Sequence, residues 1–90
     1  MPLIVAFTPT AWEDYEYWQE HDEDILRKIN KLIKEVQRDP FKGIGKPEAL
    51  RGSLSGYWSR RITGEHRLVY KVEGEKPKQL IIIIQVRFHY

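Results

Sequence analysis

YWSRRITGEHRLVYKV, residues 57–72, decides how this chain folds. It divides around Gly64 and Glu65 into two runs, 57–63 and 66–72, each rich in aromatic and β-branched residues and each alternating between apolar and polar positions. Side chains of a strand point alternately to opposite faces. Trp58 and Ile62, then Leu68, Tyr70 and Val72, are therefore expected on a covered face, with Ser59, Arg61, Thr63, Arg67, Val69 and Lys71 opposite. A glycine-containing break between two such runs predicts a hairpin. Arg60 falls on the apolar side, and a bulge or an edge position is expected there.

A third run, QLIIIIQVRF at 79–88, follows the turn residues GEKPK at 74–78 and extends the hairpin to an antiparallel meander. Alternation assigns Leu80, Ile82, Ile84, Val86 and Phe88 to the core and Ile81, Ile83, Gln85, Arg87 and His89 to the open face. Isoleucine in both sets requires an interior strand, which would tether His89 even though the sequence ends one residue later. The open face would then gather Arg61, Arg67, Arg87, Gln85 and His89. Such a concentration of donors suits a phosphate, because the guanidinium fork matches a phosphate bidentately.

Upstream, Leu3 to Phe7 is a short apolar run that suits a buried strand. Thr10 followed by Glu13 fits a capping box, so a helix is expected from Ala11, with Ala11, Trp12, Tyr15 and Trp18 on its apolar side. Asp22 or Asp24 caps a second helix, whose Ile25, Ile29, Leu32, Ile33 and Val36 share one face and which Pro40 ends. Two consecutive amphipathic helices form an αα-hairpin that needs a sheet to cover. An edge strand is expected around Ala49–Leu54. The fold class is thus α+β, a single domain over 1–90: an N-terminal strand, an αα-hairpin, then an antiparallel meander with both helices on one face.

Composition agrees. Of the 90 residues 41% are hydrophobic, enough for one small core, and the absence of cysteine excludes a disulfide framework and thiolate metal sites. The N-terminal MPLIVAFTPTAW has no basic flank, and no segment reaches the roughly 20 apolar residues of a membrane span. A cytoplasmic protein without a membrane partner is expected. Residues 1–40 hold five Lys/Arg against nine Asp/Glu, net −4, whereas residues 41–90 hold ten against four, net +6. The second half is the candidate polyanion surface. His21, His66 and His89 have no metal-ligand spacing, EDYEYWQEHDED reads as a solvated helix face, and GIGKPE lacks the hydroxyl residue of a phosphate loop. No metal or other cofactor is expected.

PFKGIGKPEAL at 40–50, LSGYWSRRITGEHRLVYKV at 54–72 and the closing RFHY resemble the Txe/YoeB branch of the RelE/ParE toxin superfamily, with WEDYEYWQEHD and KINKLIKEV matching as well. The resemblance spans essentially the whole chain. It implies a small α+β ribonuclease that binds the ribosomal A site and cuts mRNA, is restrained by a YefM-like antitoxin, and can form a homodimer. The family's carboxylate in the KPE motif falls on Glu48, its arginine in EHRLVY on Arg67, and its terminal pair on His89 and Tyr90. Arg51, Arg61 and Arg87 would contact RNA. The resemblance makes Glu48 and His89 the acid–base pair in either order, Arg67 with Arg61 the stabilisers of the transition state, and Tyr90 a group that orients the phosphate or His89. The 74–79 turn is longer than usual, and Phe88 replaces a common tyrosine. Two other functions use the same fold or face: a ParE-like toxin acting on a protein such as DNA gyrase, and a catalytically inactive RNA-binding module.

Overall fold

The computed structural model describes residues 3–75 and 77–88. His89 and Tyr90, to which the sequence assigns two site roles, lie outside the described residues. Strand β1 (Ile4–Phe7) leads into helices α1 (Pro9–His21) and α2 (Glu23–Arg38). Strands β2 (Glu48–Ala49), β3 (Tyr57–Arg61), β4 (Arg67–Glu73) and β5 (Leu80–Gln85) follow. The sheet order is β1-β5-β4-β3-β2. Strands β2 to β5 form the expected antiparallel meander, and β1 pairs in parallel with β5, which is therefore interior.

Thr8, not Thr10, caps α1: its hydroxyl accepts from the Ala11 amide at 3.1 Å, and Pro9 follows where a missing amide proton costs nothing. The Thr8 hydroxyl also donates to the Ile84 carbonyl, joining the helix start to β5. Asp22 ends α1 and caps α2, its carboxylate accepting from the amides of Asp24 and Ile25. One residue thus makes the corner of the hairpin. Ala11 and Trp18 of α1 and Ile29, Leu32 and Val36 of α2 pack on Ile62, Leu68, Tyr70, Ile81, Ile83 and Val86. Among the described residues no helix is long and apolar enough to cross a membrane.

Three further sequence expectations are corrected. Ile81 and Ile83 are fully buried under the helices, whereas Ile82 and Ile84 are only half-buried, the reverse of the expected phase. Tyr70 pairs with Ile83 but its neighbour Val69 pairs with Gln85, so Ile84 is the extra residue of a bulge. Beyond it the alternation is reset, and Val86 is core while Gln85 faces outward, as expected. Four consecutive isoleucines contain no polar position that could reveal the phase. Second, Arg60 is neither at a bulge nor at an edge; it pairs regularly with Leu68 and lies on the helix side with no exposed surface. Third, the edge strand is shorter and earlier than expected, Glu48–Ala49, and the chain then makes a 3-10 turn at Gly52–Leu54.

Candidate functional site

The open face is built on the register of β2, β3 and β4. Glu48 pairs with Ser59, and Ser59 with Val69, which in turn pairs with Gln85, so these four form one row across the sheet. Paired residues share a face, with Cβ atoms about 4.5–5.5 Å apart. Arg61 pairs with Arg67 in a parallel row on the same face. Arg67 bridges the two rows, its Nη1 donating to the Ser59 hydroxyl at 3.3 Å. Glu48 and the two arginines therefore share one face of the sheet, as alternation predicts for the arginines, with the Ser59 hydroxyl and Val69 buried in that face between them.

Glu48 reaches that surface through the loop 39–47. The Arg61 amide donates to the Gly45 carbonyl at 2.7 Å, and Gly45 and Lys46 both take positive φ, +83° and +50°. This turn swings the chain from α2 onto the sheet edge. Buried Arg60 holds the loop from beneath, donating to the carbonyls of Asp39, Lys42 and Ile44. Arg51 is exposed three residues beyond Glu48, at the start of the 3-10 turn.

Two cationic guanidinium groups side by side repel one another unless an anion lies between them. Glu48 and Arg61 are exposed and Arg67 is half-buried. Among the described residues no ion pair within 4.0 Å joins Glu48 to either arginine. The face can accept a phosphodiester on the arginines while presenting a carboxylate beside it to take a proton.

Arg87 does not join this row. Its guanidinium lies 3.4 Å from the centroid of the Tyr17 ring on α1 and 4.4 Å from that of Phe88, and its Nε is buried. The ladder of β5 ends at Gln85, so alternation no longer governs where residue 87 points. Phe88 is likewise exposed at 56% instead of core, with φ +64°. Its backbone is nevertheless fixed beside the arginine row: its carbonyl accepts from the Arg67 amide at 3.1 Å, and its amide donates to His66 Nδ1 at 2.8 Å. The Gln85 side chain donates to the carbonyls of Arg87 and Phe88. Sequence reasoning gives His66 and Ser59 no role; the available signal is their position beside Arg67, one in the chain and one across the strand.

A family model described as YoeB-like toxin of bacterial type II toxin-antitoxin system matches residues 7–90. The chain is 52% identical over 88 residues to Toxin YoeB of Streptomyces coelicolor, covering 98% of this chain and all of that one. Its backbone superposes on a YoeB/ParE toxin from Agrobacterium tumefaciens with a TM-score of 0.93 at 51% identity, covering 98% and 100% of the two chains. A Staphylococcus aureus relative, 45% identical with both chains fully covered, has been solved as a YoeB dimer and as a heterotetrameric YoeB–YefM toxin–antitoxin complex, with TM-scores of 0.87 and 0.85.

Proposed function

The chain belongs to the YoeB-like toxins of bacterial type II toxin–antitoxin systems, and from that premise we propose that it is a ribosome-dependent endoribonuclease that cuts mRNA in the A site by acid–base catalysis. The observation that carries the reading is the alignment of Glu48 with Ser59 across β2 and β3, with Arg67 reaching that row from the paired arginines. In this mechanism Glu48 takes the proton of a ribose 2′-hydroxyl. The 2′-oxygen attacks the adjacent phosphorus, the bond from phosphorus to the 5′-oxygen breaks, and His89 gives a proton to that leaving oxygen. The products are a 2′,3′-cyclic phosphate and a 5′-hydroxyl.

Charge that develops on the non-bridging oxygens is met by Arg67 and Arg61, whose fixed donors stabilise the transition state more than the ground state. Phe88, the residue that precedes His89 in the sequence, has its carbonyl bonded to the Arg67 amide. Tyr90 orients the phosphate or His89, and Arg51 assists from the edge of the face. A YefM-like antitoxin restrains the enzyme by bringing carboxylates to the same basic surface, and the chain forms a homodimer as its Staphylococcus aureus relative does.

Primer extension on an mRNA translated with and without the protein tests the reading. Cleavage at codons in the A site is expected from wild type and should fall about 10²–10⁴-fold in Glu48→Ala and in His89→Ala. Addition of the antitoxin should abolish it. Wild-type cleavage by both variants would overturn the proposal.

A further inference from the structure

We propose that His66 is a positioning residue: by accepting the Phe88 amide at Nδ1 it fixes the backbone of Phe88, the residue that precedes His89 in the sequence. The inference rests on the assignment of His89 to the reaction, and its test separates the two.

Beyond Gln85 the ladder no longer holds the chain, and individual contacts replace it. The Val86 carbonyl accepts from the Trp18 indole at 2.8 Å, and the Val86 amide donates to the Asp14 carboxylate at 3.2 Å. Gln85 Nε2 holds the carbonyls of Arg87 and Phe88. At Phe88 two consecutive residues of β4 and its approach engage both backbone polar groups: Arg67 binds the carbonyl with its amide, and His66 binds the amide with its ring. This clamp stands where it is needed, because a non-glycine residue at φ +64° is in a sterically disfavoured region and persists only if its surroundings enforce it.

His66 is itself fixed. Its amide donates to the Thr63 hydroxyl, its carbonyl accepts from the amides of Ile62 and Thr63, and its ring meets the Trp18 ring edge-on at 4.8 Å. Since Nδ1 is the acceptor, the neutral imidazole carries its proton on Nε2. The pairing of roles along the chain is direct: the Arg67 side chain faces the phosphate surface, while the Arg67 amide and the His66 ring hold the segment that follows β5. His66 and Arg67 thereby set where the Phe88 backbone lies relative to the arginine row.

Two substitutions separate acceptor from bulk. Asparagine places its side-chain oxygen near the position of Nδ1, so His66→Asn keeps an acceptor; His66→Phe keeps a ring against Trp18 and has none. Hydrogen exchange and the nitrogen and proton shifts of the Phe88 amide are measured together with kcat and KM for mRNA cleavage on programmed ribosomes. His66→Phe should lose protection at Phe88 and about 10- to 10²-fold in kcat, with KM and ribosome binding little changed. His66→Asn should recover both. An unchanged Phe88 amide in His66→Phe would overturn the clamp, and equal kcat loss in both variants would overturn positioning. Wild-type activity of His89→Ala would instead remove the catalytic assignment, and the Phe88 amide would still decide whether the clamp exists.

Discussion

Arg60 donates through Nε to the Tyr70 hydroxyl at 3.1 Å, inside the core, and that hydroxyl donates in turn to the Pro40 carbonyl at 2.6 Å. The other guanidinium nitrogens bind the carbonyls of Asp39, Lys42 and Ile44 at 2.6–3.1 Å. A fully buried cation is therefore surrounded by neutral oxygens, most of them from the loop that carries the chain to Glu48. Arg60→Met should leave the three loop carbonyls without their donor and lower stability by about 1–3 kcal/mol for each one that stays buried and unpaired. Arg60→Lys should rescue little, since an ammonium group cannot span the same fork. Thermal unfolding measures both; a melting temperature within a few degrees of wild type for Arg60→Met would contradict this role. Tyr70→Phe, which removes one acceptor and one donor, should cost less, about 1–3 kcal/mol.

Gly45 lies above that guanidinium stem. A Cβ there would come within 2.8 Å of Leu32 Cδ2 and 3.1 Å of Arg60 Cβ, and φ is +83°. Gly45→Ala must strain the backbone and push aside the Leu32 side chain or the loop, so about 1–3 kcal/mol of stability should be lost. Because the Gly45 carbonyl also accepts the Arg61 amide, cleavage activity should fall further than that of a surface control, Gly56→Ala, which has open space around its added Cβ but shares the positive φ. Equal activities in the two variants would deny the loop any part in placing Glu48.

The paired arginines should separate by role. Arg61 is exposed and acts through charge, so Arg61→Ala should weaken binding of single-stranded RNA and reduce the slope of log affinity against log salt by about 0.7. Arg67 is half-buried and oriented by Ser59. Arg67→Lys keeps the charge and loses the fork, and should leave the salt slope nearly unchanged while lowering kcat by about 10²-fold. Titrations at several salt concentrations, set beside single-turnover cleavage, would expose an exchange of these roles.

How much of the fold and site is legible in the sequence depends on whether each stretch carries its own polar markers. In 57–72 arginine, serine and lysine interrupt the apolar residues, and the faces of β3 and β4 follow from alternation alone. In Ile81–Ile84 no such marker exists, and the bulge opposite Val69 and Tyr70 reverses the phase. Alternation singles out Arg60 but not the reason it is tolerated, because three of its four acceptors come from residues 39–44, more than a dozen positions away in sequence. Thr8 is hidden as a cap since Thr10, two residues later, matches the same signature and Pro9 lies between them. For the site, the KPE and EHRLVY strings indicate Glu48 and Arg67. The anchors of Phe88 are contacts between separate elements, to which no local pattern points.

Asp14 gives a pH test of the packing around the chain end. Burial against the end of β5 raises its carboxyl above the ordinary 3.8, outweighing the Val86 amide and the charge of Arg87, which pull it down. A raised carboxyl binds its proton more tightly folded than unfolded, so its favourable contribution is complete below the unfolded value and is lost as pH rises through the folded one. At neutral pH the ionised group is a net cost. Asp14→Asn removes that cost and can still accept from the Val86 amide, so it should raise the melting temperature at pH 7, with the gain shrinking toward about pH 4. Glu35 and Asp39, lowered chiefly by hydrogen bonds from Arg38 and the Phe41 amide, lose their stabilising contributions as pH falls through their depressed values, but equally in both proteins. Their effect cancels in the difference. A variant less stable than wild type at pH 7 but equal to it at low pH would mean that attraction to Val86 and Arg87 outweighs burial.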